Sequence, residues 1–251
     1  MKKDIRDFHN ETCFIDIPES FYHEENLLED MIQSVIGDTA TYQKMKKLFH
    51  KKSVSCIKKT YQNQISQEYY LWQSYTPIKE VFHVLNYTPY VNLEALVFPG
   101  MSLEFSANDI EINIFDNNSA YIVGQEEVIR KNVYYYFSHY DEQSIKENMK
   151  NTIYPFTQKD IDFLVSWLKY QRDDGVVLVG KKKKADTIYF TRINFLGFLK
   201  FIKEFGWEKY IGNFVFKNSS FLKYYVFDIA LEYVHDGHTM KVTKTSIYGL
   251  T

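Results

Sequence analysis

Residues 176–207 read VVLVG (176–180), a lysine turn (181–184), DTIYFTRIN (186–194) and FLGFLKFIKEFGW (195–207), and this stretch decides the fold. Two runs of β-branched and aromatic residues are joined by a short turn, and a helix-period pattern follows them. The turn is too short for a crossover helix, so the two strands must run antiparallel.

The same grammar recurs along the chain. SVSCIKKTY (53–61) and QEYYLWQSY (67–75) flank the polar turn QNQIS, and LEALVFPGMSLEF (93–105) and DIEINIFD (109–116) flank Ser106 to Asn108, with a bulge or bend at Pro99-Gly100. AYIVGQ (120–125) and VIRKNVYYYFSHY (128–140) make a less regular third pair around Gly124, and YYVFDIALEYV (224–234) and TMKVTKTSIYG (239–249) close the series across an Asp236-Gly237 turn. Helices fall between them. ENLLEDMIQSVIG (25–37) places Leu27, Leu28, Met31, Ile32 and Val35 on one stripe and stops at Gly37. ATYQKMKKLFHKK (40–52) and DEQSIKENMKN (141–151) follow the same period, Pro77 opens PIKEVFHVLNY in the first turn, and Thr157 caps TQKDIDFLVSWLKYQ.

Five hairpins with helices between them and no low-complexity linker predict an α+β fold: one closed antiparallel β-barrel of about ten strands, surrounded by α-helices. The expected organisation is a single domain over residues 1–251, with N-terminal helices in 1–52 and the hairpin-helix barrel in 53–251. Ile110, Ile112 and Ile114 face one way and Glu111, Asn113 and Phe115 the other, so the apolar face meets the helices and a polar, aromatic face lines the interior.

Composition narrows the function. Among 251 residues 45% are hydrophobic and 18% aromatic, with 21 Tyr and 20 Phe, so a packed core and an aromatic interior are expected. Thirty basic against 32 acidic side chains leave a formal charge of -2, which gives no global pull toward nucleic acid or an anionic membrane. Cys13 and Cys56 lack metal-ligand spacing, and no apolar run reaches membrane-spanning length. A reducing cytoplasm is the expected setting. No P-loop, GxGxxG or aspartate-rich DDxxD sequence occurs, which disfavours nucleotide hydrolysis and helical-fold prenyl synthesis. The lysine turn reads as a solvated loop, Tyr135 as core-facing beside inward Tyr134 and Tyr136, and His235 and His238 as turn residues without a third metal ligand. Cys56 reads as a small core residue.

Three blocks, LEALVFPGMSLEFSANDIEINIFD, TQKDIDFLVSWLKYQ through FLKFIKEF, and DIALEYV through IYG, together resemble the aromatic prenyltransferases built as antiparallel barrels of α-β-β-α units (the ABBA or PT-barrel fold). The nearest flavour is that of the peptide-modifying enzymes of cyanobactin pathways, and the resemblance covers about Lys52 to Tyr248 as a pattern. It implies transfer of an isoprenyl group from its diphosphate to an aromatic or peptide side chain. Such chemistry asks for cations at the diphosphate, aromatic faces around an allylic cation and a base for the acceptor's proton.

The candidates are Lys58, Arg130, Arg192, Lys241 and Lys244 for the diphosphate, with Lys59 and Lys131 as further strand cations. Tyr70, Asn113, Tyr134, Tyr136, Tyr189 and Tyr248 would form the pocket, and Glu104, Glu111 and Glu232 the bases. No residue set reads as a resident metal site, and Mg²⁺ would come with the diphosphate. The chain departs from the family's pattern where Glu68, and Glu111 with Asn113, stand at positions that carry cations there; such a site repels a diphosphate unless Mg²⁺ or nearby lysines compensate. Two alternatives therefore stand beside the enzyme: a non-catalytic barrel that binds a ligand or peptide, and an RNA-binding protein using the lysine turn.

Overall fold

The computed structural model describes residues 27–37, 39–48, 54–72, 77–86, 100–105, 110–115, 119–123, 128–138, 141–151, 156–183, 185–235 and 239–250. Among them run ten strands: β1 (Val54–Thr60), β2 (Ile65–Trp72), β3 (Gly100–Phe105), β4 (Ile110–Phe115), β5 (Ser119–Val123), β6 (Val128–Ser138), β7 (Val176–Lys182), β8 (Asp186–Ile193), β9 (Phe227–His235) and β10 (Met240–Leu250). Every strand pairs antiparallel with its neighbours in sequence, and β1 pairs with β10 to close the barrel. The helices are α1 (Leu27–Ile36), α2 (Ala40–Lys46), α3 (Ile78–Leu85), α4 (Glu142–Lys150), α5 (Gln158–Val165), α6 (Phe195–Glu204), α7 (Glu208–Lys217) and α8 (Ser219–Leu222).

Strand alternation sorts side chains into two environments. Outward residues of β7 to β10 and β1, among them Val177, Val179, Ile188, Phe190, Ile229, Leu231, Ile247 and Ile57, are buried beneath the helices with Trp167, Phe198, Phe201 and Trp207. The Phe198 ring on α6 stacks on Phe227 of β9 with centroids 3.8 Å apart. Each such buried side chain contributes about 1.5–3 kcal/mol through area removed from water. A second outer core joins Leu103, Ile112 and Ile114 to Met45, Leu48 and Val81. Ile112 and Ile114 thus face the helices, as their alternation predicts.

Local chemistry sets the element ends. Gly37 takes φ 74°, the left-handed stop that glycine supplies after α1. Thr157 and Asp160 form a reciprocal capping box at α5. The predicted helix from Thr157 does not run on to Gln171 in one form: at Ser166 it tightens into a 3-10 turn through Tyr170. There Ser166 Oγ donates to the Phe163 carbonyl at 2.7 Å and competes with the helical ladder. Pro77 is the N-cap of α3 and so lies one place ahead of the first turn. Strand β2 begins at Ile65, inside the expected turn, because Asn63 reverses the chain with φ 62°. Helices α7 and α8 are not among the predicted helices, although Tyr210, Ile211, Phe214 and Val215 of α7 fall on one helix-period stripe; Trp207 caps α7 without a side-chain hydrogen bond. Cys13, Leu93 to Pro99, Ser106 to Asn108, Gly124 and the Asp236 to His238 turn lie outside the described residues.

Candidate functional site

Cross-strand register brings the inward residues together. Cys56 stands opposite both Glu68 and Tyr248, and Lys58 opposite Ser66 and Ser246. Glu68 faces Glu104, which faces Glu111, while Ser102 lies between Tyr70 and Asn113. Around the other side Asn132 faces Lys182, Tyr134 faces Gly180, Thr187 faces Glu232, and Glu232 faces Lys244.

The barrel interior holds a cavity of about 110 Å³ lined by Lys58, Glu68, Tyr70, Glu104, Asn113, Tyr134, Lys182, Glu232 and Tyr248, among others. It is polar toward the hairpin-turn end and aromatic deeper in. Gly180 keeps this space open: a Cβ there would sit 3.2 Å from Tyr134 Cε1 and 3.4 Å from Tyr189 Cε2.

The aromatic wall is continuous. Ring centroids run from Phe115 to Tyr70 at 5.8 Å, from Tyr70 to Tyr248 at 6.1 Å, from Tyr248 to Tyr189 at 6.3 Å and from Tyr189 to Tyr134 at 6.0 Å. Tyr136 joins the same inner cluster. Burial pushes the Tyr70, Tyr134, Tyr189 and Tyr248 hydroxyls above the usual phenol range, so they stay neutral. Asn132 Nδ2 donates to the Tyr134 hydroxyl at 2.9 Å, which orients that ring.

The charged wall is a network of lysines and glutamates. Lys58 Nζ lies 2.6 Å from Glu68 Oε2 and 2.7 Å from Glu104 Oε2. Glu68 also accepts from the Tyr70 hydroxyl at 2.5 Å and from Ser102 Oγ at 2.5 Å. Burial alone would lower the Lys58 pKa and raise that of Glu68. The attraction between Lys58 and its two carboxylates outweighs burial, holding the ammonium well above its ordinary range and Glu68 below its own. Lys182 Nζ lies 2.5 Å from Glu232 Oε2, and Lys244 Nζ 3.9 Å from Glu104 Oε1. Side-chain exposure rises from 12% at Lys58 to 28% at Lys244, so the rim reaches solvent at the hairpin-turn end.

Of the sequence candidates, Lys58, Lys244, Glu104, Glu232, Tyr70, Asn113, Tyr134, Tyr189 and Tyr248 line this cavity. Glu111 shares the inner face beside it and accepts from Asn113 Nδ2 at 3.2 Å. Three cations do not belong here. Arg192 sits at a bulge in the β8 and β9 pairing with φ 57°; its backbone N–H donates to Asp228 and its guanidinium pairs with Asp174, which turns it away from the lumen lysines. Lys241 is exposed near the β9–β10 turn, beyond the cavity lining. Lys59 points outward, toward the Trp207 ring. The backbones of Arg130 and Lys131 belong to β6, and their side chains lie outside the described residues.

Tyr135 is on the outer face as alternation requires, but it is 43% exposed and packs in no core. The lysine turn corrects in the other direction. Lys181 pairs with Asp186 at 2.9 Å and Lys182 enters the lumen, because β7 runs two residues past Gly180. That extension continues the inward period of Leu178 and Gly180, which is the signal that could have found Lys182 in the sequence. Glu68, read as a departure, is held by the Lys58 ammonium and by the Tyr70 and Ser102 hydroxyls.

Among the described residues no group of three or more His, Cys, Asp and Glu side chains could hold a metal ion, and Glu68 and Glu104 are already committed to lysine and hydroxyl donors. These carboxylates do not fit a resident Mg²⁺. No helix among the described residues is long and apolar enough to cross a membrane. No family model matches the chain, and no match is found among curated proteins or among solved structures.

Proposed function

We propose that this barrel is a prenyltransferase-like enzyme of the cytoplasm, moving an isoprenyl group from its diphosphate to an aromatic or peptide side chain. The observation that carries the reading is the junction of Lys58, Lys182 and Lys244 with the arc of Tyr70, Tyr248, Tyr189 and Tyr134 inside one closed barrel. Ammonium groups stabilise a departing diphosphate, and aromatic faces shield an allylic cation from water.

In this reaction the acceptor's nucleophilic atom bonds to C1 of the isoprenyl chain while the C1–O bond breaks. The electron pair leaves with the diphosphate, and the acceptor's proton passes to a lumen carboxylate. Glu68, Glu104 and Glu232 are the bases within reach of the cavity. As phosphate oxygens draw Lys58 and Lys182 away from these carboxylates, their basicity rises toward that of an ordinary carboxylate. The donor's own charge thereby primes the base. The cavity holds only a few waters as it stands, and substrate pockets run to about 300 Å³ or more. Uptake therefore works through the rim, where flexible lysine and glutamate side chains can part without moving the strands.

A second reading, a non-catalytic barrel that binds a small ligand or peptide, draws on the same ion pairs: each lumen lysine already has a carboxylate nearby, and the interior is small. Incubation with dimethylallyl, geranyl and farnesyl diphosphate and a panel of tyrosine-, tryptophan- and serine-containing peptides, with and without Mg²⁺, separates the two. A mass shift of the peptide together with donor-induced thermal stabilisation supports transfer. Absence of both assigns the barrel to binding alone.

A further inference from the structure

Lys59 follows Lys58 on β1 but faces the other way. Its residue is 7% exposed, yet its ammonium makes one long hydrogen bond, 3.4 Å to Asn63 Oδ1, and has no carboxylate partner among the described residues. The Trp207 ring lies beneath it with the centroid 6.0 Å away. Burial and then the nearby Lys209 ammonium hold its pKa below the ordinary lysine range. With its stem packed against the barrel wall and its ammonium facing a groove, Lys59 can be met by an anion that enters from solvent.

This ammonium forms part of the wall of an open groove of about 610 Å³ between the β1 and β10 wall and the corner joining α6 to α7. Tyr61, 82% exposed, and Phe205 give it aromatic sides. Gly206 turns the chain with φ 66°, and a Cβ there would come within 4.0 Å of Lys59 Nζ, so the corner stays low over the ammonium. Lys244 directs its ammonium to Glu104 in the lumen and Glu204 pairs with Lys200, so Lys59 and Lys209 stand against Glu208 alone, which leaves one positive charge over. One carboxylate neutralises that excess, whereas a polyphosphate or a nucleic-acid backbone overshoots it. Lys244 belongs to both this groove and the lumen lining, so a ligand lying in the groove reaches the barrel mouth.

We propose that this groove docks an acidic side chain of a peptide on Lys59 and Lys209, holding the peptide so that a neighbouring residue enters the lumen past Lys244. The identity of the occupant rests on the peptide-acceptor reading above. The carboxylate site itself does not.

The test uses acetyl-Glu-Gly-Tyr-amide, its Gln counterpart and inorganic phosphate as probes, titrated calorimetrically into the wild-type protein, Lys59→Met and Lys209→Ala. The glutamyl peptide is expected to bind roughly tenfold more tightly than the glutaminyl one, the scale of a hydrogen bond to a charged group. Lys59→Met should abolish that preference without lowering the melting temperature of the free protein, because the ammonium has no carboxylate partner among the described residues to lose and the apolar side chain of similar length keeps the packing of the stem. Equal affinities in the wild type, a preference that survives Lys59→Met, a lower melting temperature in that variant, or tighter binding of phosphate than of the glutamyl peptide each overturns the proposal. Thermal stabilisation by isoprenyl diphosphates is measured on the same variants. Glutamyl preference without donor binding sinks the enzyme reading and leaves the groove standing; donor binding without glutamyl preference does the reverse.

Discussion

Lys182 Nζ on β7 and Glu232 Oε2 on β9 meet at 2.5 Å although strand β8 lies between them. The pair bridges two strands that share no backbone hydrogen bond, so it couples the rim through side chains alone. It also holds Glu232 in its charged form. Burial pushes this carboxyl upward, but Lys182, Lys244 and the Lys182 hydrogen bond outweigh burial and depress it.

Acid should therefore loosen the barrel from the rim inward. For a carboxyl whose pKa is depressed in the folded state, the contribution is fully present above the unfolded value near 4.5 and is lost as pH falls through the lower folded value. Glu68 has the same sign. Melting temperature should hold steady from pH 7 to about 5 and fall below about 4.5. Glu232→Gln should flatten that acid limb. A variant with an unchanged limb would remove Glu232 from this account.

Lys58→Met leaves Glu68 and Glu104 without the ammonium that lies 2.6 and 2.7 Å from them. Stranding buried carboxylates in this way should cost about 3–5 kcal/mol in chemical denaturation. The double variant Lys58→Met, Glu68→Gln should recover part of the loss, since one stranded charge is gone and the amide oxygen still accepts from one of the Tyr70 and Ser102 hydroxyls while its NH2 donates to the other. A double variant no more stable than the single one contradicts this.

Gly180→Val puts a branched side chain where a single Cβ already lies 3.2 Å from the Tyr134 ring. Crowding of this kind should cost about 1–3 kcal/mol. It should also abolish any ligand-induced thermal shift that depends on the lumen while leaving the outer groove's preference for a glutamyl over a glutaminyl peptide unchanged.

Gly197→Ala tests helix packing away from both sites. A Cβ on this α6 residue would lie 2.4 Å from Tyr170 Cβ and 2.7 Å from Ile193 Cγ2, so the helix must lift from the 3-10 turn. Alanine's better helix propensity, worth about 1 kcal/mol, should be overwhelmed, and a net loss of at least 1 kcal/mol is expected by denaturant titration.

The barrel was legible because strand period and short turns are local signals: Ile112 and Ile114 against Asn113 and Phe115 already state which face is which. Membership of the site was less legible. Arg192 occupies a strand in the sequence, but a bulge and a left-handed backbone redirect it to Asp174, and bulges leave no trace in alternation. Lys182 was hidden by the opposite effect, a strand that outlasts its apolar run. The pairing of Lys58 with both Glu68 and Glu104 depends on register across three strands, and no local pattern carries it. Helix α7 was legible in the stripe of Tyr210, Ile211, Phe214 and Val215, though it is not among the predicted helices, whereas the four-residue α8 is too short for a period and owes the burial of Leu222 to its tertiary setting.

Nine of the ten strand pairings join consecutive strands, and one, β1 with β10, joins residues such as Val54 and Leu250 from opposite ends of the described chain. Sequential hairpins can form as synthesis proceeds, but the seam cannot. Lys244, Ser246 and Tyr248 all lie on β10, the last of the ten barrel strands to be made. Until it docks, β1 and β9 present open edges of the kind that pair with other chains, and Lys58 lacks its full enclosure. Birth of the chain therefore imposes an order: the wall comes first, the closed lumen exists only after the tenth strand is in place, and misassembly concentrates in the interval between them.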